Sequence, residues 1–391
     1  MKKHIYNILL LTLFTLSNNA FTQSFPDLHF GTENTLDVVS WNIEWFPKEG
    51  QTTINNVKGI VDALDAEIIA IQEVDSKNSF QQLIDQLDDY DGYYLNDDYQ
   101  SLAYLYKKSE VEVMDRYEIY TSSNYWSPFP RSPLILKVKF KDEIYYIINN
   151  HLKCCGDGDL DPYDTGDEEA RRLRACDLLD DYILDNLSNQ KVIVLGDMND
   201  EITDRDQDNV FSTFLSKPDE YTFADMRIAE SSSSGWSYPD WPSHLDHILI
   251  SNELFEQLEQ DGSSCEVIRL DDHFYGGFNE YETKVSDHRP VGIRIKAEPQ
   301  GIFSISSTPL TLENSPNPIT KNTIFTFPAQ TSNGQIRIFN STGILVESIT
   351  IDKNTNSYHW HPQEKVDGLF YSQLIVNEKV VATGKLLLLL N

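Results

Sequence analysis

Val192-Ile193-Val194-Leu195-Gly196-Asp197-Met198-Asn199-Asp200 runs from an apolar stretch straight into a glycine, two carboxylates and an amide. Val192–Leu195 is short, apolar and rich in β-branched residues, which predicts a strand. Polar groups crowded at the end of such a strand are where a mixed α/β scaffold presents a site.

The same grammar repeats on both sides of this stretch. Strands are expected at 36–41, 68–71, 102–106, 134–140, 144–149, 248–250 and 291–295. The charged turn 141–143 makes 134–149 a hairpin. Between them lie helical patterns. Residues 54–64 place Ile54, Val57, Val61 and Leu64 on one face, and residues 79–87 do the same with Phe80, Leu83, Ile84 and Leu87. The longest helix is expected at 168–187.

Five further polar clusters sit where strands begin or end. They are Trp41-Asn42-Ile43-Glu44, Ile71-Gln72-Glu73-Val74, Asn150-His151-Leu152, Leu245-Asp246-His247-Ile248 and Ser286-Asp287-His288-Arg289-Pro290-Val291. A single Asp or Asn at a strand end is ordinarily a turn or cap residue, and a lone histidine in a strand is ordinarily a satisfied core residue. Six clusters in one order carry more than any one of them.

Together these motifs resemble the endonuclease/exonuclease/phosphatase superfamily, over about residues 35–297. The resemblance implies a deoxyribonuclease I-like α/β (α+β) four-layer sandwich, in which two packed β-sheets are flanked by helices. It also implies hydrolysis of phosphate esters with a divalent cation, Mg2+ or Mn2+.

The residues make chemical sense on their own. Magnesium takes hard oxygen ligands, often one or two carboxylates with waters retained. Glu73 is the leading metal ligand, supported by Asn42 and Asp287. Asp197 and Asn199 supply a carboxylate and an amide two residues apart, suited to orienting a water nucleophile or a second ion. Attack needs a proton acceptor and departure a donor. Histidine titrates near neutrality, so His288 and His151 form the natural pair. Asp246 is placed to hold His288 in one tautomer. The resemblance implies a His288–Asp246 dyad, with His151 across the scissile phosphate.

Other details discriminate within the superfamily. His151 stands where the exonuclease III-like branch has Tyr, which points to the secreted nuclease, sphingomyelinase or phosphoinositide phosphatase branches. The position of that histidine's acidic partner is occupied by Gln100, an amide that orients an imidazole but does not stabilise its cation. Arg131, in Pro130-Arg131-Ser132-Pro133, matches an arginine that binds substrate phosphate, and a surface ion pair is the other reading. Arg171, Arg172 and Arg174 are read first as partners of the acidic stretch 157–169. That stretch alternates Asp157, Asp159 and Asp161, like the start of a calcium loop, but lacks the glycine and terminal glutamate of an EF-hand. A structural Ca2+ there competes with a simple solvated loop.

Charge divides the 391 residues into three parts. The formal net charge is −31, which excludes a protein that grips nucleic acid through a broad basic face. Residues 24–301 carry 23 basic and 56 acidic side chains, whereas residues 302–391 carry six of each.

Residues 1–22 open with Lys2 and Lys3, continue with an apolar run from Ile5 to Leu16, and end near small residues. This is the pattern of a signal peptide, too short to span a membrane comfortably, so no stable membrane insertion is expected. Export permits disulfides. Cys154, Cys155, Cys176 and Cys265 allow two bridges, expected to pair outwards because a direct Cys154–Cys155 bridge strains the backbone. At least one bridge is expected, although Cys176 shares a helix face with Leu173, Leu179 and Ile183.

The catalytic segment is expected to cover residues 24–298, with a linker at 299–309. Residues 310–391 then show short β-like runs at roughly ten-residue spacing, the pattern of a small all-β sandwich. Asn314-Ser315-Pro316-Asn317-Pro318, Ile338-Phe339-Asn340 with Gly343, Gly368-Leu369-Phe370-Tyr371 and Lys385 occur in order. They resemble the type A C-terminal sorting domain of the type IX secretion system. The resemblance implies contact with that secretion machinery and a secreted or cell-surface location.

The chain therefore reads as a secreted, metal-dependent phosphodiesterase, with extracellular nucleic acid as its substrate. A lipid or small-molecule phosphoesterase, such as a sphingomyelinase, is the alternative. A surface adhesin on the same fold is the third.

Overall fold

The computed structural model describes residues 25–95, 100–297, 312–327, 333–362, 367–376 and 379–389. Both the leader at 1–22 and the linker at 299–309 lie outside these residues. The chain divides into two compact units, Met1–Gln300 and Gly301–Asn391.

The first unit contains, in chain order, β1 (Thr35–Phe46), α1 (Gln51–Leu64), β2 (Ile68–Val74), α2 (Lys77–Ile84), β3 (Tyr90–Tyr94) and β4 (Ser101–Lys107). Then come β5 (Glu112–Glu118), β6 (Leu134–Phe140), β7 (Glu143–His151), α3 (Glu168–Asn186) and β8 (Lys191–Asp197). It ends with β9 (Tyr221–Phe223), β10 (Asp246–Ser251), β11 (Ser264–Val267), α4 (Phe278–Lys284) and β12 (Val291–Lys296), with single helical turns between several of them.

Among the described residues these strands form two six-stranded sheets, ordered β11-β12-β1-β2-β4-β3 and β5-β6-β7-β8-β10-β9. The sheets pack face to face through Leu36, Val38, Ile68, Leu102 and Tyr104 of the first and Leu134, Leu136, Ile147, Ile193, Leu195 and Ile248 of the second, all buried. Alternation decides which face each side chain takes. The odd partners Val39, Ile69 and Ile71 turn outwards, where Ile54, Val57, Val61, Phe80 and Leu83 of α1 and α2 cover them. On the second sheet, Ile148, Val192 and Val194 meet Cys176, Leu179 and Ile183 of α3. The result is the expected sandwich with helices outside.

Local signals place the helices. Ser76 caps α2 by accepting the Ser79 N–H. Asp167 caps α3 by accepting the Ala170 N–H, and Glu168 and Glu169 occupy the first turn, where the helix dipole favours acids.

The disulfide expectation is corrected. None of the four cysteines is bonded. Cys176 is buried within the α3 core, and Cys265 lies on β11 of the other sheet. Packing thus holds both away from the neighbouring thiols of Cys154 and Cys155, which touch each other at 3.0 Å.

The second unit consists of β13 (Glu313–Ser315), β14 (Thr323–Thr326), β15 (Gly334–Asn340), β16 (Leu345–Ile351), β17 (Ser357–Trp360), β18 (Gly368–Val376) and β19 (Lys379–Leu388). They form a sheet ordered β13-β14-β17 and another ordered β16-β15-β18-β19. Phe325, Ile336, Ile338, Trp360, Leu374 and Leu386 fill the core of this all-β unit. Its motif residues do local work. Asn317 donates to the Lys385 carbonyl at 2.8 Å and accepts the Leu387 N–H at 2.9 Å, tying the proline turn to β19. Asn340 accepts the Thr342 and Ile344 N–H groups around a turn in which Gly343 adopts φ 82°.

Candidate active site

Strand register assembles the site. In β7, parallel to β8, His151 lies opposite Asp197. In β10, antiparallel to β8, Asp246 lies opposite the same Asp197. In the other sheet, β1 runs parallel to β2 and pairs Asn42 with Gln72, so Asn42 and Glu73 leave neighbouring strand ends together. Gly196 permits the close approach of β7 and β8, since a Cβ there would stand 1.9 Å from the Asn150 carbonyl oxygen. Glu73 (φ 65°) and Asn199 (φ 56°) both adopt the left-handed region. Such strained backbone concentrates at functional sites.

Asp197 is the hub. Its Oδ2 accepts from Asn42 Nδ2 at 2.9 Å, and its Oδ1 accepts the Asn199 N–H at 3.1 Å. His151 Nε2 and His288 Nε2 stand 3.6 and 3.8 Å from Oδ2, beyond direct hydrogen bonding. Burial first, then the Asp246 and Glu73 carboxylates, push the Asp197 carboxyl up to about 7, against the pull of His288 and the Asn42 amide.

His288 Nδ1 pairs with Asp246 Oδ2 at 2.8 Å. Burial opposes its charge, but Asp246 and Asp197 prevail and hold the imidazole well above its ordinary range. The segment carrying it is firmly tied. Ser286 donates to the Asn42 carbonyl and accepts the His288 N–H. Trp41 Nε1 donates to the Tyr281 hydroxyl, which donates to the His288 carbonyl at 2.6 Å. Arg289 forks onto Asp271 at 2.6 and 2.9 Å. Next to Asp246, His247 faces the opposite side of β10 and pairs with buried Asp225 at 2.6 Å, a structural role.

His151 differs. Its Nδ1 is buried and has no hydrogen-bond partner among the described residues. Gln100, the expected orienting amide, instead accepts from Arg131. Burial first, and then the Arg131 and His288 charges, hold His151 well below the ordinary histidine range. Their surroundings therefore shift the two histidines in opposite directions.

The oxygen donors fit a hard divalent cation. Asn42 Nδ2 also donates to Glu73 Oε1 at 3.2 Å, and the Trp45 N–H donates to Glu73 Oε2 at 3.2 Å. Asp287 Oδ1 is buried and has no hydrogen-bond partner among the described residues, with His288 Nε2 3.9 Å away. Burial and then the Glu73 charge raise the Asp287 carboxyl, against His288. Buried carboxylates that repel each other, with an oxygen left over, are what a cation relieves. One oxygen or nitrogen each of Glu73, His151 and Asp197 lies within 4.8 Å of the others, as do those of Asp197, Asp246 and His288.

An open cavity of about 540 Å³ lies over this group. Glu73, His151, Asp197, Asn199, Asp287 and His288 line it, together with Arg131, Lys153 and Arg171. Every residue expected from the sequence is thus at the site or directly behind it, with Asn42 and Asp246 behind.

Three further residues join the site outside the expected catalytic, phosphate-binding and metal-ligand set. Glu44 accepts the Asp287 N–H at 2.9 Å and pairs with Lys48. The Tyr238 ring lies 4.8 Å from His288. Trp126, 64% exposed, sits over Arg171 at 5.4 Å at the cavity edge. Glu44 follows Asn42 in the quoted motif, which was its only sequence signal. Arg172 is structural, binding Glu169 at 3.1 Å and Asp200 at 2.8 Å. The alternating run does not converge as a calcium loop, because Asp159 pairs with Arg205 and Asp161 accepts the Tyr163 N–H.

A sequence profile of the Endonuclease/Exonuclease/phosphatase family matches residues 39–288. No curated protein matches the chain. Among solved structures, D. rerio TDP2 complexed with single strand DNA product is similar with a TM-score of 0.51 at 15% identity, over 67% of this chain and 99% of that one. The endonuclease/exonuclease/phosphatase from Bacteroides vulgatus is 18% identical over 68% of this chain and 100% of its own, with a TM-score of 0.48. The human Nocturnin catalytic domain is 17% identical over 67% and 94%, with a TM-score of 0.47.

Proposed function

Because the chain belongs to the endonuclease/exonuclease/phosphatase family and is a metal-dependent hydrolase of phosphate esters, we propose that it cuts phosphodiester bonds of extracellular nucleic acid. One observation carries this reading. One cavity is lined both by the carboxylates Glu73, Asp197 and Asp287 and by the cations Arg131, Lys153 and Arg171. A metal-bound phosphate belongs in such a cavity. Local cations also answer the objection from the net charge of −31.

Glu73 and Asp287 would hold the cation, with Asn42 fixing Glu73. When bound, Mg2+ withdraws charge from the phosphoryl oxygen and stabilises the transition state. Asp197, oriented by Asn42 and the Asn199 N–H, accepts the proton of the attacking water. His288, braced by Asp246, donates to the phosphoryl group or the departing oxygen. His151 contacts the substrate from the other side of Asp197. Arg131 binds phosphate oxygens as a planar fork.

Nucleic acid is favoured over lipid because an exposed indole backed by a guanidinium stacks nucleobases without regard to sequence. Trp126 over Arg171 is such a platform at the cavity edge. The single strand DNA product in the structure of D. rerio TDP2, similar in fold, supports the same reading. The exposed Trp241 favours the lipid alternative through membrane contact. Residues 1–22 and the C-terminal unit are read as the export signal and the type IX sorting address, on their motifs.

The test is a substrate panel with the purified protein: supercoiled plasmid, single-stranded oligonucleotide and sphingomyelin vesicles, each with Mg2+ or chelator. Cleavage of the nucleic acids only, abolished by chelator, is the expected result. Turnover of the vesicles alone would replace this reading with the lipid one.

A further inference from the structure

A second group of carboxylates lies in the loop between β7 and α3. One oxygen each of Asp157, Asp167 and Glu169 lies within 4.8 Å of the others. Glu169 is only 3% exposed. Its Oε1 accepts the Gly158 N–H at 2.9 Å and lies 3.1 Å from Arg172 Nη2. Its Oε2 is buried and has no hydrogen-bond partner among the described residues.

The backbone is shaped around that carboxylate. At Gly156, φ is 117°, and a Cβ there would stand 2.1 Å from Glu169 Oε1 and 2.5 Å from Oε2. Only glycine lets the loop close over the acid. Arg172 ion-pairs with Glu169 at 3.1 Å but shares its single charge with Asp200, so it leaves Asp157 and Asp167 uncompensated. Its Nε is bound to Asp200, and its Nη1 donates to the Lys153 and Cys155 carbonyls at 2.7 Å each. Neither Asp157 nor Asp167 has an ion pair among the described residues. A buried carboxylate oxygen without a partner, facing two further carboxylates, is unfavourable unless a cation joins them.

We propose that Asp157, Asp167 and Glu169 bind a structural calcium ion. The donors are all hard oxygens, which excludes the soft-ligand metals. They come from a loop and a helix end, so the coordination is adaptable. That suits calcium, with its longer and more variable bonds, rather than magnesium, which demands near-ideal octahedral geometry. The ion clamps the loop to the first turn of α3. Lys153, at the start of that loop, lines the catalytic cavity, so the clamp fixes one wall of it. Extracellular calcium modules bind at roughly 10⁻⁴–10⁻³ M, and this site belongs in that range.

The experiment is thermal unfolding and equilibrium dialysis of the full chain against Ca2+ from 10 μM to 10 mM. Wild type, Glu73→Gln, Asp157→Asn and Glu169→Gln are compared. Glu73→Gln removes calcium uptake at the catalytic cavity and leaves the second site intact. Asp157 is exposed, so its variant folds even if Glu169→Gln does not. The expected result is a calcium-dependent rise in Tm that persists in Glu73→Gln. Asp157→Asn should lose about one equivalent of calcium per chain or weaken it at least tenfold. A wild type with no rise in Tm, loss of all binding in Glu73→Gln, or unchanged binding in Asp157→Asn would overturn the proposal.

Discussion

Asn42 Nδ2 donates to Asp197 Oδ2 across 2.9 Å, joining the end of β1 in one sheet to the end of β8 in the other. The same amide reaches Glu73 at 3.2 Å. One side chain therefore sets the spacing between the candidate metal ligand and the candidate proton acceptor. Asn42→Ala should lower kcat by about 10–100-fold, the usual cost of losing a group that orients metal ligands. Circular dichroism and Tm should stay near wild type, which separates misplacement from unfolding.

The Asp246–His288 contact makes a sharper statement. An asparagine at 246 preserves shape but removes the charge that holds the imidazole protonated and in one tautomer. Asp246→Asn should lower kcat by roughly 10²–10⁴-fold with KM little changed. A histidine NMR titration should show the His288 pKa falling from its raised value.

Trp126 is expected to act on nucleobases and not on the reacting bond. Base stacking contributes roughly 1–3 kcal/mol, so Trp126→Ala should raise KM for a single-stranded oligonucleotide by about 5- to 100-fold. Hydrolysis of bis(4-nitrophenyl) phosphate, which has no base, should be unchanged.

Away from the site, Asp37 and Glu67 are buried together, and the Asp37 N–H donates to Glu67 Oε2 at 2.9 Å. Thr32 and Thr35 donate to Asp37, and Lys107 stands 3.8 Å from Glu67. Burial first, and then the Asp37 charge, raise Glu67 from 4.5 to about 8, with Lys107 opposing. The folded state thus binds a proton that the unfolded chain has released. The resulting stabilisation is present in full below about pH 4.5 and is lost as pH rises through about 8. Metal-free Tm should fall between pH 5 and pH 9, and Glu67→Gln should flatten that fall.

The apolar runs of the central strands were legible because burial on both faces leaves only apolar side chains there. The edge strands were not. β5 reads Glu-Val-Met-Asp-Arg-Tyr-Glu and is largely exposed, so its pairing with β6 has no apolar signature. β3, β9 and β11 are likewise short edges, set by their neighbours. At the site, residue types at strand ends revealed the chemistry, because carboxylates, amides and imidazoles at those places have few other uses in combination. Partners were not legible. That Gln100 binds Arg131 and leaves His151 Nδ1 unpaired depends on how β4 and the segment before β6 meet in space. Likewise the Asp157, Asp167 and Glu169 group spans a loop turn and a helix start, so no regular spacing betrays it.

The most direct measurement of the central claim is Mg2+-dependent nicking of supercoiled plasmid by wild type, Glu73→Gln and His288→Ala, with a chelator control. Wild type should nick only with the metal. Both variants, folded by circular dichroism, should be at least about 100-fold slower. Nicking that survives the chelator, or that proceeds at the wild-type rate in both variants, would contradict the assignment of this cavity as a metal-dependent phosphodiesterase centre.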